Sequence, residues 1–144
     1  MSDLIERTIR ESPLFKHLDP PELEELIAAS TREVLDYGET IIEENSTVDR
    51  LYVVVDGRVK VWTEGPKGQV DLKTLGPGAY FGEVSLMSGN DATATVEVVK
   101  APTQLVAIER DHILELIESD EKIRKMLQGV TLARAKDTLG KVFK

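Results

Sequence analysis

The chain has 144 residues, 41% of them apolar, and no cysteine; that length suits one domain with its own core, and the missing thiols exclude disulfides, thiolate zinc sites and cysteine nucleophiles. The net charge of −8 opposes binding to nucleic-acid phosphates. Neither the charged opening MSDLIERTIRESPLF nor the short aliphatic run from Leu51 to Val55 suits a signal peptide or a membrane span, so a cytoplasmic protein with no membrane or nucleic-acid partner is expected.

The first helix-like segment covers roughly residues 2–11 and stops at Ser12-Pro13. The second lies in LDPPELEELIAAS, with Asp19 as N-cap and Pro20 and Pro21 at positions where a missing N–H costs little. Leu23, Leu26 and Ile27 fall on one face of it. From Thr31 the pattern turns to β, with Gly38 as a break in TREVLDYGETIIEE. RLYVVVDGRVKVWT reads as two strands joined by a hairpin turn at Asp56-Gly57, because such turns favour positive φ at both central positions. Trp62 at its end reads as a half-buried strand residue. EGPKGQVDLKTLGPG holds another turn and a short strand near Val70 to Leu72, and ATATVEVVKAPTQLVAIE gives two strands broken at Ala101-Pro102. RDHILELIES is helical, with Ile113, Leu114, Leu116 and Ile117 apolar. A longer helical segment follows over about 120–143, with Ile123, Met126, Leu127 and Val130 on one side and Gly129 and Gly140 as weak points. Short strands at this spacing indicate a sandwich or barrel. The expected architecture is one α+β domain over residues 1–144: helices at about 2–30, strands at about 31–109 and helices at about 110–143.

The stretch YFGEVSLMSGNDATATVEV, Tyr80 to Val98, has the features of an anion-holding loop. Gly76, Gly78 and Gly82 surround the aromatic pair Tyr80-Phe81 and let backbone approach a ligand closely. GEVSLMSG is able to form a helical turn or two, whose opening N–H groups attract an anion, with Glu83 in the first turn. Taken alone, the same residues also suit a strand corner carrying a short packing helix. No Lys or Arg stands between Gly82 and Val96.

The order of these parts, with SPLFKHLDPPELEELI, then LYVVVDGRVKVW, then FGEVSLMSG, resembles the cyclic nucleotide-binding domain family from about Ser12 to Leu127. The resemblance implies an eight-stranded β-roll, jelly-roll-like, flanked by helices, with the cyclic phosphate held in a cassette at 78–96. It places Gly82 and Glu83 at the family's Gly-Glu pair, with the backbone N–H groups of Val84 and Ser85 facing the phosphate and Glu83 on the ribose 2′-hydroxyl. The family's Pro-Arg followed by Ala, Ser or Thr then falls on Asp91, Ala92 and Thr93: the hydroxyl is kept and the arginine is absent. Asn45 stands where the family often has glycine, and asparagine tolerates left-handed backbone. Purine contacts from the family's terminal helix fall near Thr131 and Arg134.

Three readings of the altered cassette stay open. A cation from elsewhere replaces the arginine, with Lys73, Lys100 and Arg58 as candidates; or Glu83 and Asp91 take a neutral or cationic ligand; or the pocket no longer binds and the domain serves as a regulatory protein-interaction module. The last is the principal expectation: a non-catalytic module that needs no cofactor and binds cyclic AMP or GMP weakly if at all.

Nothing points to an enzyme. His17 and His112 are the only histidines, Ser85 and Ser88 lack a Gly-x-Ser-x-Gly frame, and neither a Walker lysine nor a dinucleotide fingerprint is present. No metal site is expected. Residues 122–144 hold seven basic side chains against one acid, leaving −14 on residues 1–121. Lys122, Lys125, Arg134 and Lys136 form either the solvated face of an amphipathic helix or a docking face for an acidic protein partner. Ile123, Met126, Leu127, Val130 and Ala133 suit core packing or the seam of a homodimer.

Overall fold

The computed structural model describes residues 2–12, 15–16, 18–82, 91–119, 121 and 124–125. Two helices come first: α1 (Ser2–Glu11) and α2 (Pro20–Ala29). Six strands follow: β1 (Thr31–Leu35), β2 (Thr40–Ile42), β3 (Arg50–Gly65), β4 (Gly68–Leu75), β5 (Tyr80–Phe81) and β6 (Thr95–Glu109). Helix α3 (Arg110–Ser119) continues directly from β6.

Each helix forms where its apolar residues share a face. Ile9 of α1 is fully buried, and a Glu6–Arg10 pair one turn apart lies on the outside at 2.6 Å. In α2 both prolines occupy the opening positions, as expected, and Leu23 and Leu26 are buried. Asp19 takes the N-cap position without a side-chain capping bond, and the Leu23 N–H donates to its carbonyl instead. Ile113 anchors α3, with Leu114 and Leu116 partly buried beside it. The 120–143 helix expected from the sequence lies almost wholly outside the described residues.

Strands β3 and β6 are the spine of the fold. They run antiparallel along nearly their whole length, from Arg50 opposite Glu109 to Trp62 opposite Thr95. Near the first end, β1 flanks β6 and β5 flanks β3; near the other end, β2 flanks β6 and β4 flanks β3. Both long strands turn a corner midway and so serve both halves of the roll. Counted by halves, they supply the eight strands that the resemblance implies. The expected break at Ala101-Pro102 is therefore a bend within one strand, with a cis Ala101-Pro102 bond.

The expected hairpin at Asp56-Gly57 is not present. Those residues lie inside β3, and the hairpin that follows β3 turns at Pro66-Lys67, between paired Gly65 and Gly68. Gly57 does take positive φ, 96°, as the Asp-Gly signal requires. The same backbone conformation suits a bulge as well as a turn. Here β6 lies alongside, and the register slips on both sides of Gly57, so that Asp56 faces Gln104 while Arg58 faces Lys100. Thr103 closes the corner. Its buried hydroxyl accepts from the Arg58 N–H at 3.1 Å and donates to the Lys100 carbonyl at 2.7 Å.

The core fills the space between the two halves and beneath the helices. Phe15, Leu51, Val53, Val54, Val59, Val98, Leu105 and Ile108 are among its most deeply buried members. Trp62 is half-buried, as expected. Among the described residues, no helix is long and apolar enough to cross a membrane.

Candidate functional site

The cassette is held at its entrance by β5. Tyr80 and Phe81 pair with Val53 and Tyr52, the Gly78 N–H donates to the Val54 carbonyl at 2.8 Å, and the Val54 N–H returns to the Ala79 carbonyl at 2.8 Å. The Phe81 ring stacks on Tyr52 with centroids 5.1 Å apart. Burial, and then the Glu33 carboxylate, raise the Tyr52 phenol above its ordinary pKa, so it stays protonated. The Arg50 side chain spans Glu33 at 3.3 Å and Glu109 at 3.2 Å.

Gly82 sits against the backbone of that same arginine. It has φ 97°, and a Cβ there would stand 2.8 Å from the Arg50 carbonyl oxygen. Positive φ and a rigid backbone neighbour together make glycine necessary. Gly82→Ala is expected to lower stability by about 2–4 kcal/mol, combining left-handed strain with overpacking. Gly38→Ala is the control, because Gly38 has φ 85° but open space around its Cβ. Urea unfolding of both variants checks this, and equal costs would remove the steric part of the argument.

The cassette returns through residues 91–95, clamped to the segment before β3. The Ala92 N–H donates to the Ser46 carbonyl and the Asn45 N–H donates to the Ala92 carbonyl, both at 2.8 Å. Asn45 has φ 73°, the left-handed conformation expected of it. The Glu44 N–H donates to Thr95 Oγ1 at 3.0 Å, and Glu44 in turn accepts from the Glu64 N–H at 3.0 Å. With both backbone groups engaged, Ala92 sends its methyl into the apolar core, where the residue is 4% exposed. Asp91 and Thr93, on either side, are exposed. Glu83, Val84 and Ser85 lie outside the described residues.

Two of the candidate replacement cations stand apart from this site. Arg58 and Lys100 face each other at the corner, both exposed, and Lys100 is five residues, roughly 16 Å of strand, from Thr95. Lys73 differs. It stands opposite Val61, two positions along the strand from the Val59–Leu75 pair, and paired residues of this kind share a sheet face. Val59 and Leu75 are core residues and Lys73 is half-buried, so Lys73 belongs to the inner face of the roll.

Of the candidate partner-binding residues, only Lys125 is described. It is exposed and pairs with Glu121 at 3.4 Å. Lys122, Arg134 and Lys136 lie outside the described residues. Among the described residues, no group of three or more His, Asp or Glu side chains is placed to hold a metal ion. The Asn45–Ser46 clamp on Ala92 and the Arg50 carbonyl behind Gly82 were not read from the sequence as parts of the site. Only the left-handed tendency of Asn45 signalled the first, and a backbone carbonyl leaves no signal.

The sequence model of the family described as "Cyclic nucleotide-binding domain" matches residues 32–120, the part that folds into the strands, the cassette and α3. The chain belongs to the cyclic nucleotide-binding domain family. This cyclic nucleotide-binding domain is 32% identical, over 122 residues, to a cyclic nucleotide-gated potassium channel of Mesorhizobium japonicum, covering 85% of this chain and 32% of the channel. It superimposes on the regulatory domain of Toxoplasma gondii protein kinase A with cAMP, at TM-score 0.79 and 28% identity, covering 87% of this chain and 48% of that one. It also superimposes on the regulatory subunit of a cAMP-independent protein kinase A from Trypanosoma brucei, at TM-score 0.72 and 28% identity, covering 80% and 40%. The domain thus spans about a third of the channel's length and no more than half of either kinase chain.

Proposed function

We propose that this chain is a non-catalytic regulatory module whose cassette binds cyclic AMP and cyclic GMP weakly or not at all, and whose output runs through a protein partner. The observation that carries this reading is Ala92, a buried methyl at the position where the family resemblance places arginine. An arginine fork on a phosphate is a charge-assisted pair contributing roughly 1.5–3 kcal/mol, about tenfold to a hundredfold in affinity. Leaving a phosphate buried without its partner costs about 2–5 kcal/mol. The exposed carboxylate of Asp91 beside the site works in the same direction. The Trypanosoma brucei neighbour, the regulatory subunit of a cAMP-independent protein kinase A by its description, supports the compatibility of this fold with a regulatory role that does not depend on cAMP.

Lys73 favours a second reading. A cation on the inner face of the roll would supply charge to an anion held in the cassette, which would make the chain a sensor with a relocated charge.

Isothermal titration of the protein with cyclic AMP and cyclic GMP separates the two. No binding below the millimolar range is the expected result. Micromolar or tighter binding overturns the first reading, and its loss in Lys73→Ala would then assign the cation.

A further inference from the structure

Strand β1 closes one end of the strand order β1-β6-β3-β4, and among the described residues its side away from β6 is an edge of the sheet. A sheet edge offers backbone N–H and C=O groups to any strand that fits, and soluble proteins blunt their edges by shortness, bulges, Lys or Pro. The other peripheral strands follow that rule. β2 has three residues and an irregular register, β5 has two residues, and the pairing of β4 is interrupted between Val61 and Trp62. β1 does not. Its five residues pair with β6 without a shift, from Thr31 opposite Ala107 to Leu35 opposite Thr103, and TREVL contains neither Lys nor Pro. Val34 on this strand is 55% exposed, and Tyr37 just past it is 72% exposed.

We propose that a second copy of this chain covers this edge, the two β1 strands pairing antiparallel about a two-fold axis at Val34. In that register Val34 faces Val34, Glu33 faces Leu35, and Arg32 faces the exposed Asp36. A β-branched pair on the axis and an opposite-charge pair on each side of it are both favourable across strands. Centring the axis on Arg32 or on Glu33 instead sets like charges directly opposite, and centring it on Leu35 sets Val34 against Asp36. The charge match lies within TREVLD itself, which favours a copy of the same strand over an arbitrary extended segment. Arginine has five N–H donors, so facing Asp36 does not require Arg32 to give up contacts in its own copy. Glu33 likewise keeps its pairing with Arg50 at 3.3 Å. A contact of about five residue pairs lies at the weak end for protein interfaces, so the dissociation constant should be on the order of 100 µM.

Sedimentation velocity of the full chain, from about 10 µM to about 1 mM, should show a monomer giving way to a dimer. Val34→Lys sets two ammonium groups opposite each other on the axis and should weaken the dimer at least about tenfold, and so exposed a position should tolerate it without loss of the fold. The chain has no cysteine, so Val34→Cys adds a single thiol. Opposed residues of an antiparallel pair have Cα atoms about 4.5–5.5 Å apart, within reach of a disulfide. Under mild oxidation Val34→Cys should form a covalent dimer at least about tenfold faster than Lys67→Cys, an exposed position in the β3–β4 turn. An equal mixture of Arg32→Cys and Asp36→Cys should form the mixed dimer, while Arg32→Cys alone should not, because the two copies of residue 32 lie roughly 13 Å apart along the strands. A monomer throughout the concentration range overturns the proposal and leaves the edge to a different chain. A dimer unaffected by Val34→Lys places the seam elsewhere and overturns it too, as does a Val34→Cys rate equal to that of Lys67→Cys. Coupling at Val34 without the mixed Arg32–Asp36 product overturns the antiparallel register.

Discussion

Gly57→Ala should lower the unfolding free energy by about 3–5 kcal/mol, the sum of left-handed strain and backbone overlap. A Cβ at Gly57 would meet the Thr103 hydroxyl oxygen, Cα and Cβ at 2.3, 2.6 and 2.8 Å. Two of those three atoms belong to a side chain, but the Cα does not move without the strand. The substitution therefore has to push β3 and β6 apart at the corner where the Thr103 hydroxyl holds both the Arg58 N–H and the Lys100 carbonyl. For a chain of this size the midpoint of thermal unfolding should fall by about 10 °C. Thr103→Gly in the same background removes the side-chain overlap and leaves the Cα, so it should recover only part of the loss. Urea and thermal unfolding followed by circular dichroism check both statements. Full recovery in the double variant would show that the backbone contact at the corner is not what demands glycine.

Ala92→Arg is expected to couple the protein's stability to cyclic nucleotide. In the free variant a guanidinium replaces a buried methyl inside an apolar cluster, and an unpaired buried charge should cost about 2–4 kcal/mol. A cyclic phosphate in the cassette supplies the missing partner. Binding should tighten by at least about tenfold over the parent. At a ligand concentration of about a hundred times Kd, nucleotide should restore roughly 2.7 kcal/mol of the lost stability. The parent should show no such shift. Asp91→Pro combined with Ala92→Arg removes the neighbouring carboxylate and should bind more tightly still. Titration calorimetry and ligand-dependent thermal unfolding are the measurements. If the double variant binds no better than the parent, Ala92 does not occupy the arginine position, and the reading of the cassette falls with it.

The three described helices and the β-roll were legible because their signals are local and periodic. The Pro20-Pro21 opening, the buried Leu23 and Leu26, and the break at Gly38 all appear where the residues indicate. Asp56-Gly57 was misread for an instructive reason. The dipeptide signals positive φ, and positive φ is there; whether it makes a turn or a bulge depends on β6, about forty-five residues further on in the chain. The cassette was legible in part. Gly82 and Asn45 carry backbone signals, and both have the left-handed φ those signals imply. What presses on them did not show, because the Arg50 carbonyl and the Ser46 carbonyl belong to no residue type. The inner-face position of Lys73 depends on cross-strand register, which single-sequence periodicity does not fix.

The two bent strands have a consequence for how the molecule comes apart. Since β3 and β6 each continue through the corner from one half of the roll to the other, neither half owns its central pair of strands. One half therefore has no boundary along which to melt while the other persists. Slow amide exchange in β3 and β6 should share a single opening free energy on both sides of Gly57, equal to that of global unfolding. Faster exchange belongs to the flanking strands β1, β2, β4 and β5, each hydrogen-bonded to a single strand among the described residues. The cassette runs from one of these peripheral strands, β5, to the start of the central β6. Its entrance is therefore able to loosen at a fraction of the cost of unfolding, while its exit stays fixed to the most persistent part of the protein.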